Sequence, residues 1–320
     1  MNQEKINLKQ SRDFGETFNA SIKLLRQNFK LLFQCLLFIA GPFLLISSIA
    51  GAFYQATALT MYSPRMQMNN PMDILSQFGW AYLIFIVTAV IANLALVGTV
   101  YCFMLEYQEK GPGNFTAGDV GSRLASNVGN ILSVFFSVTF LMILAIALLV
   151  GVFIAIGSIS PVLAGLLAVL LFFGLLIIFP PLIWQLSVVY LVKMQSDMGP
   201  LEAFGKTREA MRDNFWWTWV IVVCSSIGVG LAGLVFAMPQ FAYQMVITFS
   251  NMRGEGEETS IGFIVVATIC TFFSTLLYSV LYIINGVHYY SLAEKKDGQG
   301  LMERINEIGN TPPPNVNQQY

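Results

Sequence analysis

Five long stretches of this sequence carry no charged side chain, and that fact constrains the fold more than any other. They run from Lys30 to Arg65, Asp73 to Glu106, Arg123 to Lys193, Asp213 to Arg253 and Glu258 to Glu294. A helix needs about 20 apolar residues to cross about 30 Å of hydrocarbon. Four stretches therefore predict one transmembrane helix each, at about 31–55, 79–105, 216–245 and 261–290. The longest predicts two, near 131–156 and 161–192, parted at Gly157-Ser158-Ile159-Ser160-Pro161. Backbone polar groups in lipid must be paired within the chain, so these runs read as helices rather than irregular segments. The expected fold is all-α: a six-helix membrane domain over 14–294, after an N-terminal segment 1–13 and before a tail 295–320 whose end, with Pro312-Pro313-Pro314, reads as disordered.

Basic residues set the expected orientation. Fifteen fall before the first span, between spans two and three, between four and five, or in the tail; only Arg65 and Arg253 fall on the other side. Both termini are therefore expected in the cytoplasm, and the short loops suit the plasma membrane of a bacterium. With 11% charged residues and a net charge of −1, no global field attracts nucleic acid. Cys35, Cys102, Cys224 and Cys270 all lie in apolar runs without C-x-x-C spacing and read as packing residues.

A pattern recurs ahead of the odd-numbered spans. Phe18 precedes Asn28-Phe29 by ten residues, Phe204 precedes Asn214-Phe215 by ten, and a weaker copy runs from Val120 to Asn130-Ile131. After the even spans, Tyr101, Tyr190 and Tyr289 are each followed nine or ten residues later by Gly111, Gly199 and Gly298. The expected unit is an interfacial amphipathic helix plus a transmembrane hairpin, used three times as parallel repeats. In the first copy Phe14, Phe18, Ile22, Leu25 and Phe29 share a helical face. Lys23, Arg26 and Lys30, and Arg208 and Arg212 of the last copy, are candidate contacts for anionic lipid headgroups.

This organisation resembles the membrane domain that accompanies some bacterial glycerophosphodiester phosphodiesterases, and its stand-alone multi-pass relatives. The resemblance is carried by the stretches ending in Asn28-Phe29 and Asn214-Phe215 and by Phe179-Pro180-Pro181, and covers most of 14–290. It implies a membrane module. The phosphodiesterase domain, with its histidines and metal-binding carboxylates, has no counterpart here, so no catalytic residue carries over.

Polar groups within the spans are the remaining candidates. Asn93 lies mid-span and is expected to bond a neighbouring helix; Asn285 and His288 are expected together near the cytoplasmic headgroups. Gln185 and the kink at Pro180 and Pro181 complete the set, either as shape or as a broken helix lining a cavity. The small residues Ser226, Gly228, Gly230, Ala232, Gly233 and Ala237 predict close packing of the fifth span. Met61, Met66, Met68 and Met72 offer soft sulfur ligands but no histidine or cysteine beside them, so no metal or other cofactor is expected. The function expected is a non-catalytic scaffold or lipid-organising module, with membrane lipids or another membrane protein as partners. The alternative is a transporter of a small or amphiphilic solute, against which the uncharged spans count.

Overall fold

The computed structural model describes residues 5–60, 71–253 and 261–298. The methionine-rich loop, the loop with Glu255, Glu257 and Glu258, and the proline-bearing tail lie outside the described residues. Helices α1 (Phe14–Cys35), α2 (Gly41–Thr60), α3 (Pro71–Lys110), α4 (Ala117–Ile159), α5 (Pro161–Gln195), α6 (Pro200–Arg212), α7 (Phe215–Met252), α8 (Ile261–Leu276) and α9 (Tyr278–Asp297) follow one another, with a π-helical turn, Leu36–Ala40, joining α1 to α2. Among the described residues there is no strand, and six helical segments are long and apolar enough to cross a membrane. The chain is a multi-pass membrane protein.

The expected boundaries hold where local chemistry dictates them. Ser160 ends α4 and caps α5: its hydroxyl accepts from the Leu163 amide at 3.4 Å, and Pro161, lacking an amide hydrogen, takes the first helical position. Gly111 and Gly298 follow α3 and α9 with φ of 80° and 57°, a left-handed turn that a side chain would resist. The π turn answers Pro42, which has no hydrogen to donate: the Gly41 amide reaches back five residues to the Leu36 carbonyl. α5, by contrast, stays helical through Pro180 and Pro181, so the prolines do not break it.

The three lead-in stretches begin alike. Glu16, Asp119 and Glu202 each turn a carboxylate back, three residues, onto the amide of Asp13, Thr116 and Gly199, at 3.0, 2.7 and 3.0 Å. Their ends differ. Asn28 (φ −115°, ψ 16°) and Asn214 (φ −127°, ψ 31°) share a non-helical conformation at the bend into the following helix. Asn130 sits inside the unbroken α4 and donates to Asn127 at 3.0 Å, so the expected third elbow is a straight helix.

The apolar stripe of α1 is not its buried face. Thr17, Ser21, Leu24 and Asn28 are buried against the protein, while Ile22 and Phe29 are exposed and Phe14, Phe18 and Leu25 half-buried. The buried polar side chains bond their own helix: Thr17 to the Asp13 carbonyl and Ser21 to the Thr17 carbonyl, both at 2.7 Å, and Asn28 to the Leu24 carbonyl at 3.0 Å. Satisfied in this way, they pack without desolvation cost and leave the apolar stripe for lipid.

One large core joins the inner parts of α1, α3, α5 and α9 around Tyr101, Phe103, Trp184 and Val287. The N-terminal segment belongs to it. Leu8 is buried, the Ile6 amide donates to the Tyr107 hydroxyl at 2.9 Å, and the Arg12 amide donates to the Ser291 hydroxyl at 2.8 Å. Toward the other end, Ala52, Ala56 and Leu59 of α2 pack against Phe263 and Ala267 of α8. The far half of the α4–α5 hairpin, about residues 140–180, is almost wholly exposed. The small residues of α7 do not serve close packing. An added Cβ at Gly228, Gly230 or Gly233 would meet nothing within 4 Å. The close approaches are at Gly98, against Leu124 and Ile131, at Gly286, against Met104, and at Gly51, against the Phe85 ring.

Candidate functional site: two cavities on opposite sides of α5

The inner half of α5 presents three different surfaces. Ile178, Pro181, Leu182 and Gln185 follow i, i+3, i+4, i+7 spacing and line a groove; Ile183, Leu186, Ser187 and Tyr190 follow the same spacing and line a second cavity. Five residues separate the two stripes, which at 100° per residue places them about 140° apart around the helix. Trp184, Val188 and Leu191 are fully buried in the core between them.

The groove lies between α5, α6 and the start of α7 and has a volume of about 820 Å³. Its apolar wall includes Ile178, Leu182, Phe204 and Phe215, and its rim carries Arg208, Glu209 and Arg212. Glu209 is ion-paired to Lys296, and that hydrogen bond holds its carboxyl below the ordinary carboxylate value. The two guanidinium groups are exposed. Gln185, buried, donates to the Phe204 carbonyl at 3.0 Å and ties α5 to α6. Arg212 also borders an adjoining recess with Trp216, Trp217 and Lys295. Cations beside exposed tryptophans above an apolar wall form the amphipathic surface that lipid headgroup regions select. Lys23, Arg26 and Lys30 are exposed on α1 and line neither cavity.

The second cavity, about 630 Å³, lies between α3, α4, α5 and α9. Phe85, Phe135, Met142 and Ile143 are among its apolar lining, and Asn93, Tyr282, Ser187, Tyr190 and Thr139 supply its polar groups. Asn93 donates to the Tyr282 hydroxyl at 3.0 Å, the interhelical bond the sequence led us to expect.

Asn285 and His288 are both buried in the core, because α9 packs on α1, α3 and α5 as far as Leu292. Asn285 donates to the Ser187 hydroxyl at 3.1 Å and accepts from the Trp184 indole at its backbone carbonyl, at 3.3 Å. The His288 Nε2 and the Thr218 hydroxyl are 3.0 Å apart, and the His288 ring meets Trp184 edge-on at 5.6 Å. Pro181 lines the groove, whereas Pro180 lines neither cavity. Asn93, Gln185 and Asn285 thus occupy three separate environments.

Trp184, Ser187, Tyr282 and Thr218 were not singled out from the sequence, and Tyr101 was read only as part of the repeating pattern. The regular spacing of Gln185 with Ile178, Pro181 and Leu182 was the available signal for the groove. Nothing in an all-apolar helix marks which stripe faces a cavity. Comparison of the chain with protein-family models, with curated proteins and with solved structures finds no match, so the geometry carries the functional reading.

Proposed function

We propose that this chain is a non-catalytic membrane module that holds anionic lipid at the cytoplasmic face of a bacterial plasma membrane, with both termini in the cytoplasm. The observation that carries the reading is the groove between α5, α6 and α7, where Arg208 and Arg212 stand over Ile178, Leu182 and Phe215. Guanidinium groups bind phosphate oxygens in pairs, and an apolar wall beneath them suits an acyl chain. The membrane-domain resemblance is in keeping with this reading, which assigns no catalytic residue. The scattering of Asn93, Gln185 and Asn285 over three environments supports a module over a solute carrier, which needs a continuous polar path.

The test is native mass spectrometry of the full chain released from bilayers of phosphatidylethanolamine and phosphatidylglycerol. Each basic residue near an anionic surface contributes about 1 kcal/mol, so the double variant Arg208→Gln, Arg212→Gln should lower phosphatidylglycerol retention roughly thirtyfold. Unchanged retention would overturn the proposal.

A further inference from the structure

We infer that the cavity between α3, α4, α5 and α9 is a second lipid site, one that takes an uncharged amphiphile with a hydroxyl or ester headgroup, of the diacylglycerol class. The inference does not rest on the anionic-lipid groove, which lies on the other side of α5.

The charge of the lining excludes ionic headgroups. Among the described residues, no Asp, Glu, Lys, Arg or His lines this cavity. A phosphate placed there would be desolvated without a counter-charge, which costs far more than hydrogen bonds return. Asn93 also lies near the middle of the span predicted at about 79–105, a depth that suits a neutral headgroup and not an ionised one.

The polar groups that are present leave hydrogen-bonding capacity unused. Asn93 is exposed into the cavity, and among the described residues its side chain bonds only the Tyr282 hydroxyl, with contacts at 3.0 and 3.4 Å. A carboxamide has two N–H donors and an oxygen with two lone pairs, and one hydroxyl engages only part of that set. An unsatisfied amide facing hydrocarbon is costly, and a ligand hydroxyl or ester carbonyl removes that cost. Behind Ser187 the core closes the cavity: Tyr101 packs against Tyr282 at 6.1 Å, and Asn285 donates to the Ser187 hydroxyl at 3.1 Å.

Size and access agree. A volume of about 630 Å³ falls within the range of small-molecule sites. The far halves of α4 and α5 are bare, so an amphiphile can enter sideways from the lipid with its chain along Phe85, Met142 and Ile146. Met142 adapts to irregular chains.

The experiment uses the full chain in nanodiscs, with dioleoylglycerol as the probe and native mass spectrometry as the readout. Dioleoylglycerol should bind the unaltered protein. Asn93→Leu, at an exposed position that leaves the core intact, should weaken this roughly tenfold, the equivalent of one to two neutral hydrogen bonds. Ala89→Phe should block the cavity. Arg208→Gln with Arg212→Gln should leave dioleoylglycerol binding unchanged, which separates this site from the groove. Absence of dioleoylglycerol binding, equal binding to Asn93→Leu, or displacement by equimolar phosphatidylglycerol would each overturn the inference.

Discussion

Gly286→Ala should destabilise the protein while Gly230→Ala should not, and the two substitutions differ only in what surrounds them. A Cβ on Gly286 would stand 2.7 Å from both the Sδ and the Cε of Met104 and 3.4 Å from Tyr101. Met104 and Tyr101 are fully buried, so the thioether must move within a filled core. Overpacking of that kind costs about 1–3 kcal/mol. A Cβ on Gly230 meets nothing within 4 Å, and surface substitutions typically change stability by about 0.5 kcal/mol or less. The helix-propensity gain of alanine is muted at both sites, since spans stay helical when a membrane protein loses its tertiary fold. Reversible unfolding in bicelles, followed by titration with a denaturing detergent, should therefore separate the variants by a factor of about 5 to 150 in the folding equilibrium. Met104→Ala supplies a control. It opens a cavity at a cost of about 2–5 kcal/mol, yet combined with Gly286→Ala the total should fall short of the sum by more than 0.5 kcal/mol. Two alanine variants within 0.5 kcal/mol of each other would refute the close α3–α9 approach.

In a cysteine-free background, single cysteines at Ser122 and Ser196 should stay unlabelled by an impermeant thiol reagent added outside intact cells, while a cysteine at Glu257 should react; the reverse pattern would invert the topology. Thr218→Val removes the hydrogen-bond partner of the buried His288 and should cost about 1–3 kcal/mol in the same bicelle assay, with Thr218→Ser close to the unaltered protein. Asp119 is held at about 2, below its ordinary 3.8, by hydrogen bonds from the Thr116 hydroxyl and amide and from Lys110. Because its folded value is depressed, its contribution is present above about pH 4 and is lost as pH falls toward 2. Thermal melts should show the unaltered protein losing more stability across that window than Asp119→Asn, and parallel losses would remove Asp119 from the account.

The spans and the turn at Ser160 were legible because the absence of charge and the chemistry of proline and serine act locally. The bends at Asn28 and Asn214 fall at the two Asn-Phe pairs that the sequence pattern picked out. Asn130 was not distinguishable from them, because the same residue type can either cap a bend or bond within a continuous helix. What failed was azimuth. In water an apolar stripe marks the core face of a helix, but in lipid the outward face is equally apolar. Gly230 therefore looked like a contact and meets nothing. Burial was not legible for Asn285 and His288: the core continues along α9 through Tyr289, Tyr290 and Leu292 and takes in Ile6 and Leu8. The candidate site was half visible: Arg208, Arg212 and Gln185 were on the page, but that Asn93 and Gln185 face opposite sides of α5 required the structure.

The straight second unit and the second cavity have one geometric origin. At Asn28 and Asn214 the backbone leaves helical geometry, which lets the following helix take a direction different from the lead-in stretch. α4 has no such joint and runs unbroken from Ala117 to Ile159. Its near part packs closely, with Leu124 and Ile131 against Gly98, where a glycine permits the approach. Farther along, the side chains facing α3 grow large: Phe135 and Met142 on α4 meet Phe85 and Ile86 on α3 across open space. Beyond the contact at Gly98 the two helices border the cavity and do not close on each other. The gap opens at the level of Asn93. The unit that departs from the repeat is thus the one whose divergence makes room for a ligand.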